Sequence, residues 1–276
     1  MAFFRAFLTA ALAAAMLWPG PAPGGAARAE GGAVKVDVEL VIAVDISYSM
    51  DEEEQRLQRI GYIEALTSRQ FHDALKSGAH GQIAVAYMEW AGAHDARVLV
   101  NWMLIDGPET ARVLADKLAE APTRRARRTS ISTAIDKSVQ MFSGNGYDGI
   151  RRVIDISGDG PNNDGRHVVT ARDEALARGF VINGLPVVLN RPNYGWGDIK
   201  DLDIYYQDCV IGGPGAFMVP IRTPEHFVEA TRTKLVMEVA SAPPAILPDN
   251  VQPAQNRAPR VSCTIGERMW QDRWGN

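Results

Sequence analysis

Three short stretches carry side chains whose types and spacing could do chemistry together. The first is Val41-Ile42-Ala43-Val44-Asp45-Ile46-Ser47-Tyr48-Ser49-Met50, an apolar run that ends in an acid and continues with hydroxyls at alternate positions. The second is Arg128-Thr129-Ser130-Ile131-Ser132, and the third is Ser157-Gly158-Asp159-Gly160. Carboxylates and hydroxyls are hard oxygen donors of the kind that hold a divalent cation. Each stretch also has an ordinary reading: Ser, Thr and Asp cap helices, and Asp-Gly makes turns. Their joint placement separates the two readings. Each stretch falls at the carboxyl end of a predicted strand or at the start of a helix, where open α/β sheets bind ligands.

The elements that must position them follow from apolar patterning. Residues 36–45 read as a buried strand, because its second half, Leu40 to Val44, is apolar on both faces. Residues 51–75 read as one long amphipathic helix with Asp51, Glu52, Glu53 and Glu54 at its amino end and Leu57, Ile60, Ile63 and Leu66 on its buried face. Strands are expected at 82–90 and 97–104, and the loop between them is too short for a parallel crossover, so they form an antiparallel hairpin. Helices at 108–120, 131–142, 166–178 and 224–240, a short one at 199–206, and strands at 151–157, 180–189 and 216–220 complete the pattern. The alternation predicts an α/β fold: a doubly wound, mostly parallel sheet with one antiparallel edge strand and helices on both faces.

With these elements in place, the chain resembles the von Willebrand factor type A domain family over residues 36–240. The likeness rests on Asp45-Ile46-Ser47-Tyr48-Ser49, on Thr129 with the Ser130-to-Ile135 segment behind it, and on Asp159-Gly160, in that family's order. The resemblance implies a metal-ion-dependent adhesion site in which Ser47, Ser49 and Thr129 touch the metal, while Asp45 and Asp159 bind it directly or through water. Mg²⁺ is the expected ion, with Mn²⁺ and Ca²⁺ as alternatives. The family commonly has a Thr or Ser directly before its Asp-Gly; here Gly158 intervenes after Ser157.

Around such a site, Glu89, Trp90 and His94 at the hairpin and Arg124, Arg125, Arg127 and Arg128 before Thr129 are expected to form a partner-binding rim. The arginines would pair with carboxylates of an acidic protein partner. The competing reading of that loop is a solvated turn of salt-bridged arginines. Asp155 lies within an apolar strand and needs a partner if buried, for which Arg152 is a candidate.

Composition bounds the rest. The 276 residues carry a net charge of −4 and one local basic cluster, which gives no reason to expect nucleic-acid binding. Residues 1–29, with Arg5, an apolar core and Ala27-Arg28-Ala29, read as a signal peptide. Its removal leaves 27 basic against 33 acidic residues. The signal peptide implies export, to the periplasm or beyond, and since no later stretch is long and apolar enough to span a membrane, the mature protein is expected to be soluble. In that compartment Cys209 and Cys263 are expected to form one disulfide. Domain boundaries are expected at 30–240 for the body and 241–276 for an extended, proline-rich tail tied back by that bridge.

Gly144-Asn145-Gly146-Tyr147-Asp148-Gly149 spells a dinucleotide fingerprint, but it follows a helix and precedes a strand, the reverse of the required order. The function expected is therefore non-enzymatic: an exported domain that binds a divalent metal and a protein partner. A metal-dependent hydrolase is the alternative from the enzyme class, with Glu89 and His94 as the nearby acid–base groups. A metal-independent interaction domain is the third reading.

Overall fold

The computed structural model describes residue 1 and residues 32–189, 199–240, 247–255 and 257–274. The expected signal peptide, Met1 apart, lies outside them. Seven strands form one sheet: β1 (Val34–Asp45), β2 (Ile83–Trp90), β3 (Ala96–Ile105), β4 (Tyr147–Gly158), β5 (Val181–Pro186), β6 (Phe217–Met218) and β7 (Gln252–Pro253). Their order is β3-β2-β1-β4-β5-β6-β7. β1, β2, β4, β5 and β6 run parallel, and β3 is the predicted antiparallel edge. A second antiparallel pairing, β6 with β7, closes the other edge, and the sequence did not suggest it.

Alternation along β1 explains why the sheet is covered twice. Val38, Leu40, Ile42 and Val44 belong to one apolar cluster, while Val41 and Ala43 belong to the other. Successive side chains of a strand point to opposite faces, so an unbroken apolar run needs helices on both. Each fully buried Val, Leu or Ile contributes about 1.5–3 kcal/mol of burial free energy.

The helices are α1 (Glu52–Thr67), α2 (Arg69–Lys76), α3 (Pro108–Glu120), α4 (Ile131–Met141), α5 (Val168–Ala177), α6 (Leu202–Tyr205), α7 (Phe227–Val239) and α8 (Ile265–Trp274). A capping box opens α1: the Glu54 N–H donates to Asp51, and the Asp51 N–H donates to the Glu54 carboxylate.

Three expectations are corrected here. The predicted long helix is two helices, because Ser68 is extended at φ −75°, ψ 147° and its hydroxyl caps α2 by accepting from the Phe71 N–H. The break lets α2 turn Phe71 and Leu75 into the core. The buried side of α1 follows the expectation only in part: Leu66 is buried, but Leu57, Ile60 and Ile63 are only partly so, and Gln55, Gln58, Tyr62 and Ala65 are buried as well. α1 packs against both α3 and α7, so more than one stripe of it is covered. Finally, the segment after residue 240 is not wholly extended, since it contains α8.

Asp155 is fully buried, and its partner is Lys234 of α7, 2.6 Å away, rather than Arg152. Lys234 also pairs with Glu238, which accepts two bonds from the Asn183 amide at 2.8 and 2.9 Å. Arg152 instead donates to the Arg178 carbonyl and lies over the Phe180 ring. The glycine-rich turn is a turn: Gly144 and Gly146 take φ of 67° and 87° between α4 and β4.

Candidate functional site

The sheet order places the switch point between β1 and β4. After β1 the chain builds outward through β2 and β3, then returns to the other side of β1 as β4. Side chains there face a crevice beyond the carboxyl ends of the strands. Register makes the two strand ends level: Val44 pairs with Ser157 and Asp45 with Trp90 of β2. Asp45 and Asp159 are thus brought together from opposite sides of one strand boundary.

Short hydrogen bonds link the donors. The Ser47 N–H donates to Asp45 Oδ1 at 2.6 Å. Ser47 Oγ and Ser49 Oγ are 2.8 Å apart, and Ser49 Oγ donates to Asp159 Oδ1 at 2.6 Å. Ser47 also bridges in parallel to Ala126, which draws the 122–130 loop alongside the turn. That loop delivers Thr129, whose N–H donates to Asn163 Oδ1 at 2.9 Å while its carbonyl accepts from the Asn163 N–H at 2.8 Å. Ser47, Ser49 and Thr129 line one cavity of about 420 Å³.

Asp45 is fully buried, and its Oδ2 has no hydrogen-bond partner. Burial pushes its carboxyl up to about 7, against the pull of the Ser47 N–H and hydroxyl and the Asp159 N–H. Among the described residues no basic side chain pairs with Asp45, and no group of three or more His, Cys, Asp or Glu side chains is placed to hold a metal ion by itself. The donor set is two carboxylates and neighbouring hydroxyls, all hard oxygens. A buried carboxylate oxygen without a partner beside such oxygens fits a divalent cation of the Mg²⁺ type better than a soft metal.

Gly158 accounts for the departure before Asp-Gly. A Cβ there would lie 2.8 Å from Asp45 Oδ2 and 3.0 Å from the Tyr206 hydroxyl. Close approach of these groups leaves room only for hydrogen. Tyr206, buried next to Asp45 and Asp159, was not singled out from the sequence; nor were Asn162 and Asn163. Asn162 Oδ1 accepts from the Ser132 N–H at 3.0 Å and so fixes the start of α4. Asn162-Asn163 follows Asp-Gly-Pro closely, but its partners are distant in sequence and nothing local marked it.

The expected rim divides. Glu89 and Trp90 are buried and cannot meet a partner. Glu89 is paired with Arg59 at 2.8 Å, and burial raises its carboxyl above the ordinary value despite that arginine. Both faces of β2 are covered, which puts these two residues inside. His94 is exposed but does not line the cavity. Arg124 is tied to Asp95, and Arg125 donates to the Tyr48 carbonyl at 2.7 Å. Arg127 and Arg128 do line the cavity; Arg128 pairs with Asp164 at 3.2 Å, whereas Arg127 is exposed.

The opposite wall of the cavity is α8, which the sequence did not place near the site. It supplies Gly266, Met269, Trp270, Arg273 and Trp274. The Cys209–Cys263 disulfide is present, as expected, and anchors the segment that leads into α8.

Residues 35–243 match the model of a family described as protein of unknown function, DUF1194. No curated protein matches the chain. Among solved structures it is similar to proximal thread matrix protein 1 from the mussel byssus, with 13% identity and a TM-score of 0.55 over 75% of this chain and 49% of that one. One structure of the mussel protein has a zinc-occupied MIDAS motif. It is likewise similar to the pilus adhesin SpaC from Lactobacillus rhamnosus GG, with 11% identity and a TM-score of 0.55 over 76% and 32% of the two chains. A von Willebrand factor type A protein from Catenulispora acidiphila matches with 13% identity and a TM-score of 0.52 over 74% and 43%. The chain spans half or less of each of these proteins. The likeness establishes a von Willebrand A-like fold.

Proposed function

The chain belongs to the DUF1194 family of unknown function, and we propose that it is an exported, non-enzymatic domain that binds a divalent metal and, through it, a protein partner. The observation that carries the reading is Asp45. Its buried Oδ2 lacks a hydrogen-bond partner at the switch point of the sheet, beside the hydroxyls of Ser47 and Ser49. Asp45, Ser47, Ser49, Thr129 and Asp159 would hold the ion. The zinc in the mussel protein's MIDAS motif supports a divalent ion at this place in the fold, and the all-oxygen donor set favours Mg²⁺. When bound, the ion offers a Lewis-acidic position to a partner's carboxylate.

Several observations favour recognition over hydrolysis. Among the described residues that line the cavity there is no His, Asp or Glu, and the nearby Asp45 and Asp159 carboxylates are the candidate metal ligands rather than a free base. Glu89, the acid considered for that task, is buried against Arg59. Export is supported by the disulfide and by the leader-like residues 1–29. Among the described residues no helix is long and apolar enough to cross a membrane.

The test is a thermal melt after EDTA treatment, with and without Mg²⁺, Mn²⁺ or Ca²⁺, beside Asp45→Ala. Binding to the folded state at one hundred times Kd adds about 2.7 kcal/mol. A metal-dependent rise in the midpoint, absent in the variant, is expected. No shift with any ion, together with no binding heat by calorimetry, would overturn the metal reading.

A further inference from the structure

α8 is built against the site, and only Ile265 at its start packs against the core, partly buried. Gly266 is its one buried residue. It sits so close to Asn162 that a Cβ would fall 2.1 Å from the Asn162 carbonyl oxygen. Glu267 Oε1 accepts from the Asn162 amide at 2.8 Å. Just upstream, Arg260 gives Asp208 three hydrogen bonds, from its backbone N–H at 2.7 Å, Nη2 at 2.8 Å and Nε at 3.0 Å. With the disulfide, these contacts hold the helix in one place without burying its aromatic face.

That face looks into the cavity. Nine large apolar side chains are exposed among the described residues, and Tyr48, Met269, Trp270 and Trp274 are four of them. All four line the cavity that also holds Ser47, Ser49 and Thr129. Trp270 and Trp274 lie one helical turn apart, with ring centroids separated by 5.8 Å. Clustered exposed apolar surface marks a binding site, whereas scattered surface residues do not. A bare anion would need only the ion and the arginines. An aromatic wall beside them gains binding energy only if the ligand carries an apolar group as well. Arg127, exposed at the same cavity and in no ion pair among the described residues, adds positive charge.

We infer that α8 is a selectivity wall, and that the partner presents a peptide segment in which an acidic side chain is flanked by an aromatic one. The carboxylate goes to the floor of the cavity. The flanking ring lies against Trp270, Trp274 and Tyr48. This rests on the metal-site reading above and adds the class of ligand.

The test uses the full mature chain in Mg²⁺ and three octapeptides that differ only at a central pair: Asp-Phe, Asp-Gly and Asn-Phe. Affinities are measured by calorimetry, and metal binding by the melt. The Asp-Phe peptide is expected to bind at least about tenfold more tightly than Asp-Gly, a difference of about 1.4 kcal/mol, with Asn-Phe weaker than both. Trp270→Ala/Trp274→Ala should bring Asp-Phe and Asp-Gly to parity while keeping the Mg²⁺ shift of the melt. Tyr48→Ala, which leaves α8 intact, should narrow the same gap. Equal binding of Asp-Phe and Asp-Gly to the parent chain would overturn the inference, and so would no peptide binding with the Mg²⁺ shift intact. In both cases the metal site would stand. Loss of the Mg²⁺ response in the parent chain would instead remove the reading beneath it, and the inference with it.

Discussion

The Arg128 guanidinium lies on the face of Trp270, with its central carbon 3.6 Å from the ring centroid. The contact joins the loop that delivers Thr129 to a helix 142 positions further along the chain. It is made from a costly backbone. Arg128 is the sole non-glycine residue with positive φ among the described residues, at 73°, and the left-handed region costs an L-residue roughly 1–2 kcal/mol.

Two substitutions at Arg128 separate the contact from the backbone. Arg128→Ala loses the stacking and the Asp164 pair but keeps the left-handed cost. Arg128→Gly loses the same contacts without that cost. Urea denaturation should find the Gly variant more stable than the Ala variant by about 1 kcal/mol. Equal stabilities would mean that the loop relaxes out of the left-handed region once the side chain is gone.

Gly158→Ala tests how tightly Asp45 is packed. The new methyl group would meet Asp45 Oδ2 and the Tyr206 hydroxyl at about 3 Å. Overpacking of this kind costs about 1–3 kcal/mol. The variant should melt lower without metal, and its Mg²⁺ shift should be smaller because Asp45 is displaced. A normal shift with a normal melt would show that the crowding is easily relieved.

Cys263→Ser removes the link between α8 and the body. The two cysteines are 54 positions apart, and loss of a native bridge of this kind typically costs about 2–4 kcal/mol. Trp270 and Trp274 should become more accessible to iodide quenching. The Mg²⁺ response should persist, since none of the candidate ligands lies beyond Asp159. A parent-like quenching profile would mean that the Asp208 and Asn162 contacts and the Arg128–Trp270 stacking seat the helix without the bridge.

Asp208 supplies a pH test of the same anchor. Burial opposes its ionised form, but the hydrogen bonds and charge of Arg260, aided by Arg257, outweigh that and hold the carboxyl below its ordinary value. The folded state therefore binds this proton less readily than the unfolded state. The stabilisation is present above the unfolded value near 4 and is lost as pH falls through the folded value. Asp208→Asn should melt lower than the parent at neutral pH, and the gap should close on acidification below about pH 4. A gap independent of pH would assign the loss to packing rather than to charge.

Much of the framework was legible from local chemistry. The two-faced apolar run of β1, its stop at Asp45, and the Ser130 cap that opens α4 depend on near neighbours. So the strand ends and helix starts that carry Asp45, Ser47, Ser49, Thr129 and Asp159 could be named before their meeting place was known. The hairpin of β2 and β3 followed from loop length alone, because a chain that short can only turn back.

What could not be read locally depends on which distant segment covers which surface. Glu89 and Trp90 have the look of a rim, yet both faces of β2 are covered and they lie inside. Gln55 and Gln58 are buried while Leu57 and Ile60 stay half-exposed, because α1 meets α3 and α7 as well as the sheet. Lys234 answers Asp155 across 79 positions, a pairing that no spacing rule contains. The tail reads as polar and proline-rich, and it is the disulfide, the Asp208 and Asn162 contacts and the Arg128–Trp270 stacking that bring α8 to the site. Periodicity and capping are short-range properties and travel with the chain; burial and ion pairing are settled between segments far apart in sequence, when the sheet and its helices close on one another.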